Sequence, residues 1–242
     1  MKKIVPNSTP EFNMEMIVRA LQKAVEEDVP KQLRDNHLET NNYIGQMRGD
    51  FINENLRNLA PIDGYELLPI HRFGWKGRLL VNRENKITLS IVTQSNLHTI
   101  PLKKRELPHY TISILHMQNR DLQGKLVQQS FLPMEPFDKD LLEADYNTII
   151  AGFLNPDEGY RHYFVAYQVE RNELVDVKLI LMDPLFNIVS ENSLNHLLNP
   201  DFTRLTDEID SDDKINAEEK HRRATRKLSK LKPGLRKESE QA

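Results

Sequence analysis

Apolar positions recur at two different periods along this chain, and the change of period divides it. From Phe12 to Val25 they fall every three or four residues: Phe12, Met16, Ile17, Ala20, Leu21, Ala24 and Val25 share one face of a helix. Thr9 as N-cap, Pro10 at the first helical position and Glu11 in the first turn predict its start; Pro30 predicts its stop near Val29. A second helix is predicted from about Asn42 to Leu59, buried through Ile44, Met47, Phe51, Ile52, Leu56 and Leu59 and closed by Ala60-Pro61. Gly45 and Gly49 each weaken it by about 1 kcal/mol relative to alanine.

From Tyr65 the period becomes two. A short strand is predicted over Tyr65 to Ile70, and a hairpin over Arg78 to Asn82 and Ile87 to Thr93 across the polar turn Arg83-Glu84-Asn85-Lys86. Tyr110, Ile112 and Ile114 alternate with Thr111 and Ser113, which predicts a further strand over Tyr110 to Met117. Asn119 to Pro136 reads as irregular, and Lys139 to Ile150 as helical. The strongest strand pair is His162 to Val169 with Leu174 to Met182, flanking Glu170-Arg171-Asn172-Glu173. Folded about Arg171 and Asn172, it sets Asp176 opposite Tyr167, Lys178 opposite Val165 and Asp183 opposite Tyr160, with Val175, Val177, Leu179 and Leu181 on one face. A last short helix is predicted from Glu191 to Leu198 behind a Ser190 N-cap.

Helices and strands are segregated in this reading, which predicts an α+β fold with a mainly antiparallel sheet and N-terminal helices. The expected organisation is one globular domain over residues 1–203, helical over about 1–60, followed by a charged C-terminal tail over 204–242 that is partly helical or disordered. No glycine-rich loop follows a strand, so no nucleotide cofactor of the P-loop or dinucleotide-fold kind is expected. The 242 residues include no cysteine, which removes disulfides, thiolate nucleophiles and cysteine-based metal sites. The N-terminus Met1-Lys2-Lys3 is not followed by a signal-peptide core, and no apolar run approaches the ~20 residues of a membrane helix, so a soluble, cytoplasmic protein without membrane contact is expected. The abundance of Asn and Lys has the flavour of low-GC bacterial or phage proteins.

Charge changes the picture most. Lys220, Arg222, Arg223, Arg226, Lys227, Lys230, Lys232, Arg236 and Lys237 fall within residues 220–237, which hold no acid. The chain is net −3, so the remainder carries −12 (24 bases against 36 acids). An anionic body with a cationic arm predicts an acidic partner, nucleic acid or protein, or a contact of the arm with the body itself; a solvated terminus that aids solubility is the alternative. The tail has no aromatic residue and so offers no base stacking.

Four other groups are candidates for chemistry. Trp75, the only tryptophan, sits in Arg72-Phe73-Gly74-Trp75-Lys76-Gly77-Arg78, a cluster able to stack on a base and hold phosphates if exposed, and a core anchor at a bend if buried. His109, His116 and His162 lie on or next to predicted strands, where a lone histidine packs more often than it reacts. Asp157, Glu158 and Asp183 meet at the open end of the last hairpin and are candidate ligands for a hard cation, or simply turn and strand-end residues. Asp176-Val177-Lys178 on a strand resembles the acid-x-lysine element of restriction-endonuclease-like nucleases. That resemblance implies a catalytic pair, Asp176 and Lys178, working with Mg2+ or Mn2+ on a phosphodiester; the same residues also suit the solvated face of a half-buried strand. Outside that implication no cofactor is evident.

Overall fold

A computed structural model describes residues 14–36, 40, 42–59, 64–72, 75–103, 105–122, 137–150 and 152–199. The predicted helix start at Thr9-Pro10, the charged tail and the side chain of Trp75 lie outside the described residues. Those described up to Leu198 belong to one compact unit. No helix among them is long and apolar enough to cross a membrane.

The N-terminal period-3.6 segment forms α1 (Glu15–Lys23), a wide π turn (Ala24–Asp28) and α2 (Val29–Asp35) in unbroken succession. Pro30 therefore does not end the helix. The π turn ahead of it widens the helix and makes room for the ring where an ordinary helical hydrogen bond is lost. Helix α3 (Ile44–Leu59) packs back across α1 with Ile52 and Leu56 buried.

The sheet has six strands in chain order: β1 (Glu66–Arg72), β2 (Trp75–Asn82), β3 (Ile87–Thr93), β4 (Arg161–Glu170), β5 (Glu173–Met182) and β6 (Ile188–Ser193). Every ladder is antiparallel except β3–β4, which is parallel. The fold is thus α+β with a mainly antiparallel sheet. One face packs against α1 and α3 through Leu80, Leu89, Val165, Val177 and Leu179. The other carries α4 (Gln94–Thr99), α5 (Tyr110–Gln118) and α6 (Lys139–Ile150), which occupy the long crossover that the parallel β3–β4 pair requires.

Three further expectations are corrected. Tyr110 to Gln118 is helix α5, not a strand: buried on several sides between the sheet and α6, it hides polar residues (Thr111, Ser113, His116, Gln118) as well as apolar ones and so shows no amphipathic stripe, and Tyr110-Thr111-Ile112-Ser113-Ile114 carries a false period of two. Ile188–Ser193 is the edge strand β6, not a helix behind Ser190, and only a single 3-10 turn (Asn195–Leu197) follows it. Finally, the β4–β5 register slips by one at Gln168/Val169, where a bulge accommodates Val175. Asp176 then pairs with Gln168 and Lys178 with Ala166, and Val175 stands exposed while Val177 and Leu179 are buried.

Candidate functional site

The bulge sets the surroundings of Asp176 and Lys178. Its carboxylate accepts hydrogen bonds from Gln94 Nε2 on α4 at 2.7 Å and from Asn195 Nδ2 at 2.8 Å, while Asn195 Oδ1 accepts from the Val177 N–H at 2.8 Å. Lys178 Nζ lies 3.8 Å from Asp176 and 2.8 Å from Glu191 on β6. Burial alone would raise the Asp176 pKa; the hydrogen bonds from Gln94 and Asn195 and the Lys178 charge outweigh it and hold the group below its ordinary range. The network staples α4 and the 3-10 turn to the sheet. A hard divalent cation needs about six oxygen ligands. Here an ammonium stands between Asp176 and Glu191 and each Asp176 oxygen already accepts a side-chain hydrogen bond, so the pair is a poor donor set for Mg2+ or Mn2+.

Asp157, Glu158 and Asp183 are not brought into a metal site: no group of three histidine or acidic side chains able to hold an ion exists among the described residues. Asp183 is buried, and its carboxylate accepts from the Leu185 N–H, the Asn187 N–H and Asn187 Nδ2 at 2.9, 2.9 and 3.0 Å, which closes the turn between β5 and β6. Asp157 and Glu158 are exposed in a 3-10 turn capped by the Asn155 side chain.

The histidines divide. His162 on β4 is fully buried. Thr88 donates to Gln118 Oε1, so it accepts from His162 Nδ1 at 2.8 Å, and His162 Nε2 is left as a buried acceptor with no hydrogen-bond partner. Burial pushes this imidazole down to about 3, so it is neutral. His109 caps α5: its Nδ1 accepts the Thr111 N–H, which leaves the proton on Nε2. Burial, with Arg105, Arg72 and Lys103 nearby, lowers it to about 4. His116 is buried on α5.

The least expected feature is an opening within the sheet. The β1–β2 and β3–β4 ladders each hold seven residue pairs, but β2–β3 holds three, Leu80–Asn82 against Leu89–Ile87. Beyond Leu80 and Leu89 the strands part into a cleft of about 540 Å³, with α3 on one side and Tyr110 on the other. Leu80, Ile91, Tyr110 and Tyr167 supply apolar wall, and Gly45, Gly49 and Gly77 line it without side chains. A smaller cavity of about 200 Å³ continues it, sharing Asp50, Asn53, Lys76, Gly77 and Arg78. On the far side of Tyr110 a third cavity, about 480 Å³, is lined by Arg72, Arg105 and His109. Arg72 is held there by a two-pronged contact with Asp145 at 2.9 and 3.2 Å.

A model of a family of unknown function, DUF5986, matches residues 6–242. The chain belongs to that family. No curated protein and no solved structure matches it. For this DUF5986 member the cleft therefore rests on geometry alone. Sequence reasoning had one thread leading to it, the basic, glycine-containing cluster Arg72 to Arg78, of which Lys76, Gly77 and Arg78 line the cleft. The three-pair ladder left no trace, because both strands keep their alternation past the point where they part.

Proposed function

We propose that this DUF5986 protein is a soluble, cytoplasmic binding or regulatory protein that contacts an acidic partner, nucleic acid or protein, through its basic C-terminal tail. The observation that carries this reading is the charge split: nine bases and no acid over residues 220–237, against −12 for the rest of the chain. Such an arm steers association with an anionic surface. The environment of Asp176 argues against the nuclease reading, since Gln94 and Asn195 hydrogen-bond its carboxylate and Lys178 stands 3.8 Å from it.

The test compares the full chain with a variant ending at residue 213, in gel shifts on DNA and RNA and in pull-downs with acidic proteins. If about five of the nine bases reach phosphates, the log of the nucleic-acid binding constant falls against the log of salt with a slope of roughly −4 to −5. Equal capture by both forms discards the proposal. The metal-dependent nuclease reading has its own assay: DNA or RNA with Mg2+ or Mn2+, comparing wild type with Asp176→Ala and Lys178→Ala. We expect no cleavage by any of the three, and cleavage lost in both variants would restore that reading.

A further inference from the structure

Helix α3 carries two glycines that its packing does not explain. Gly45 and Gly49 stand one turn apart on the same side, both line the β2–β3 cleft, and a Cβ built at either meets nothing within 4 Å. Neither needs a positive φ. Gly45 is exposed in the first turn, but Gly49 lies in the helix interior, where glycine in place of alanine gives up stability beside an open space.

The charges lining that space are unbalanced. Lys76 and Arg78 are exposed on the α3 side of β2, and neither makes an ion pair among the described residues. Arg48 of α3 adds a third cation beside the cleft: it hydrogen-bonds Tyr167, and its Nε is buried without a partner. Asp50 is the one acid among the described residues lining this cleft, and Glu54 and Arg57 line the smaller cavity that continues it. The mouth is thus cationic in a body whose residues outside 220–237 sum to −12.

Depth brings a second chemistry. Past Leu80 and Leu89, alternate residues of β2 and β3 turn backbone N–H and C=O groups toward the opening rather than toward each other. An alkyl chain entering there would leave those groups unsatisfied. A flat heteroaromatic ring satisfies them along its edge and presents its faces to Tyr110, Tyr167 and Ile91. The volume, about 540 Å³, is within the range of small-molecule sites. With Asp50 beside the two free cations, a single phosphate is better matched than a chain of three.

We propose that the cleft between β2 and β3 binds a small phosphorylated heteroaromatic compound of the nucleoside monophosphate class, with its phosphate at Lys76 and Arg78 and its ring between the glycines of α3 and the two tyrosines. This is independent of the tail, which is the same in every variant below.

The experiment is calorimetric titration of the full chain with adenosine, guanosine, cytidine and uridine 5′-monophosphates, the matching nucleosides, and inorganic phosphate alone. At least one monophosphate binds, its nucleoside and free phosphate bind more than about tenfold more weakly, and the exposed double variant Lys76→Ala/Arg78→Ala loses about tenfold or more. Gly49→Leu, which places a side chain in the opening, abolishes binding with an unchanged far-UV spectrum. No binding of any monophosphate at millimolar concentration overturns the proposal. So does binding that survives both variants, which would assign the anion to the tail.

Discussion

Asn119 gives the sharpest test of how this fold is held. It is the C-cap of α5, fully buried, and its side chain serves three backbone groups at once: Nδ2 donates to the His162 and Met182 carbonyls at 2.8 and 2.7 Å, and Oδ1 accepts the His162 N–H at 2.9 Å. It stands where the β4–β5 ladder would continue past Tyr163 and Leu181, so one side chain replaces a rung. Asn119→Ala strands three buried backbone groups. At about 1 kcal/mol net per lost bond, and more for each buried group left unsatisfied, the cost is roughly 3–5 kcal/mol. That is a fifth or more of the ~5–15 kcal/mol that holds a typical domain. Urea unfolding followed by circular dichroism reads it as a fall in midpoint at constant m-value. Asn119→Asp separates bonding from volume: it keeps the acceptor for the His162 N–H but turns an oxygen toward two carbonyls, so it recovers little of the loss. A cost below about 1 kcal/mol for Asn119→Ala, or an Asp variant as stable as wild type, would refute the reasoning.

Three further outcomes follow from the same structure. His162 has a folded pKa of about 3 against about 6.5 unfolded, so its stabilising contribution is complete above pH 6.5 and is lost as pH falls toward 3. At pH 5 this amounts to about 2 kcal/mol, and urea midpoints at pH 7 and pH 5 should show a smaller difference in His162→Gln than in wild type; equal differences would remove His162 as the cause. Gly49→Ala should stabilise by about 0.5–1 kcal/mol, a rise in Tm of about 1–4 °C, because its Cβ enters open space; a fall would mean that the cleft closes on α3 in solution. Asp183→Ala should cost roughly 2–3 kcal/mol in chemical denaturation, since two backbone N–H groups and the Asn187 amide lose their acceptor; a change within ~0.5 kcal/mol would show that the β5–β6 turn does not depend on it.

What the sequence disclosed of the fold follows from how far each element's environment is one-sided. Helices α1 and α3 and strand β5 bury chosen positions, so their periods are legible; β3 and β4 are buried on both faces and are legible as short apolar runs bounded by polar turns, and α6 falls on its predicted bounds. Strand β6 is an edge with polar residues at most positions and one neighbour, so Ile188-Val189-Ser190-Glu191-Asn192-Ser193 carries little apolar alternation. The π turn before Pro30 and the bulge at Val175 are single-residue adjustments: they move a register by one and change no composition. The second of them moved Asp176 and Lys178 to new partners. For the candidate sites, residue types were readable, but which groups were already engaged was not: nothing local in the chain says that Gln94 and Asn195, 82 and 19 residues away, hold Asp176.

Helix α5 connects these strands of argument. Read as a strand it would have put His109, Tyr110 and His116 along one sheet, remote from one another's roles. As a helix buried on several sides, it delivers a cap at each end and one wall of the cleft: His109 closes its first turn, Asn119 fastens its last turn to β4 and β5, and Tyr110 faces the opening where β2 leaves β3. Ser113 donates to Asp145, the carboxylate that also grips Arg72, and so ties the same helix to α6 and β1. The cleft is therefore bounded by an element anchored at both ends and along its length, and its other wall, α3, carries the unexplained glycines. A gap that arose only from loose packing would not have a wall pinned at both ends and along its length.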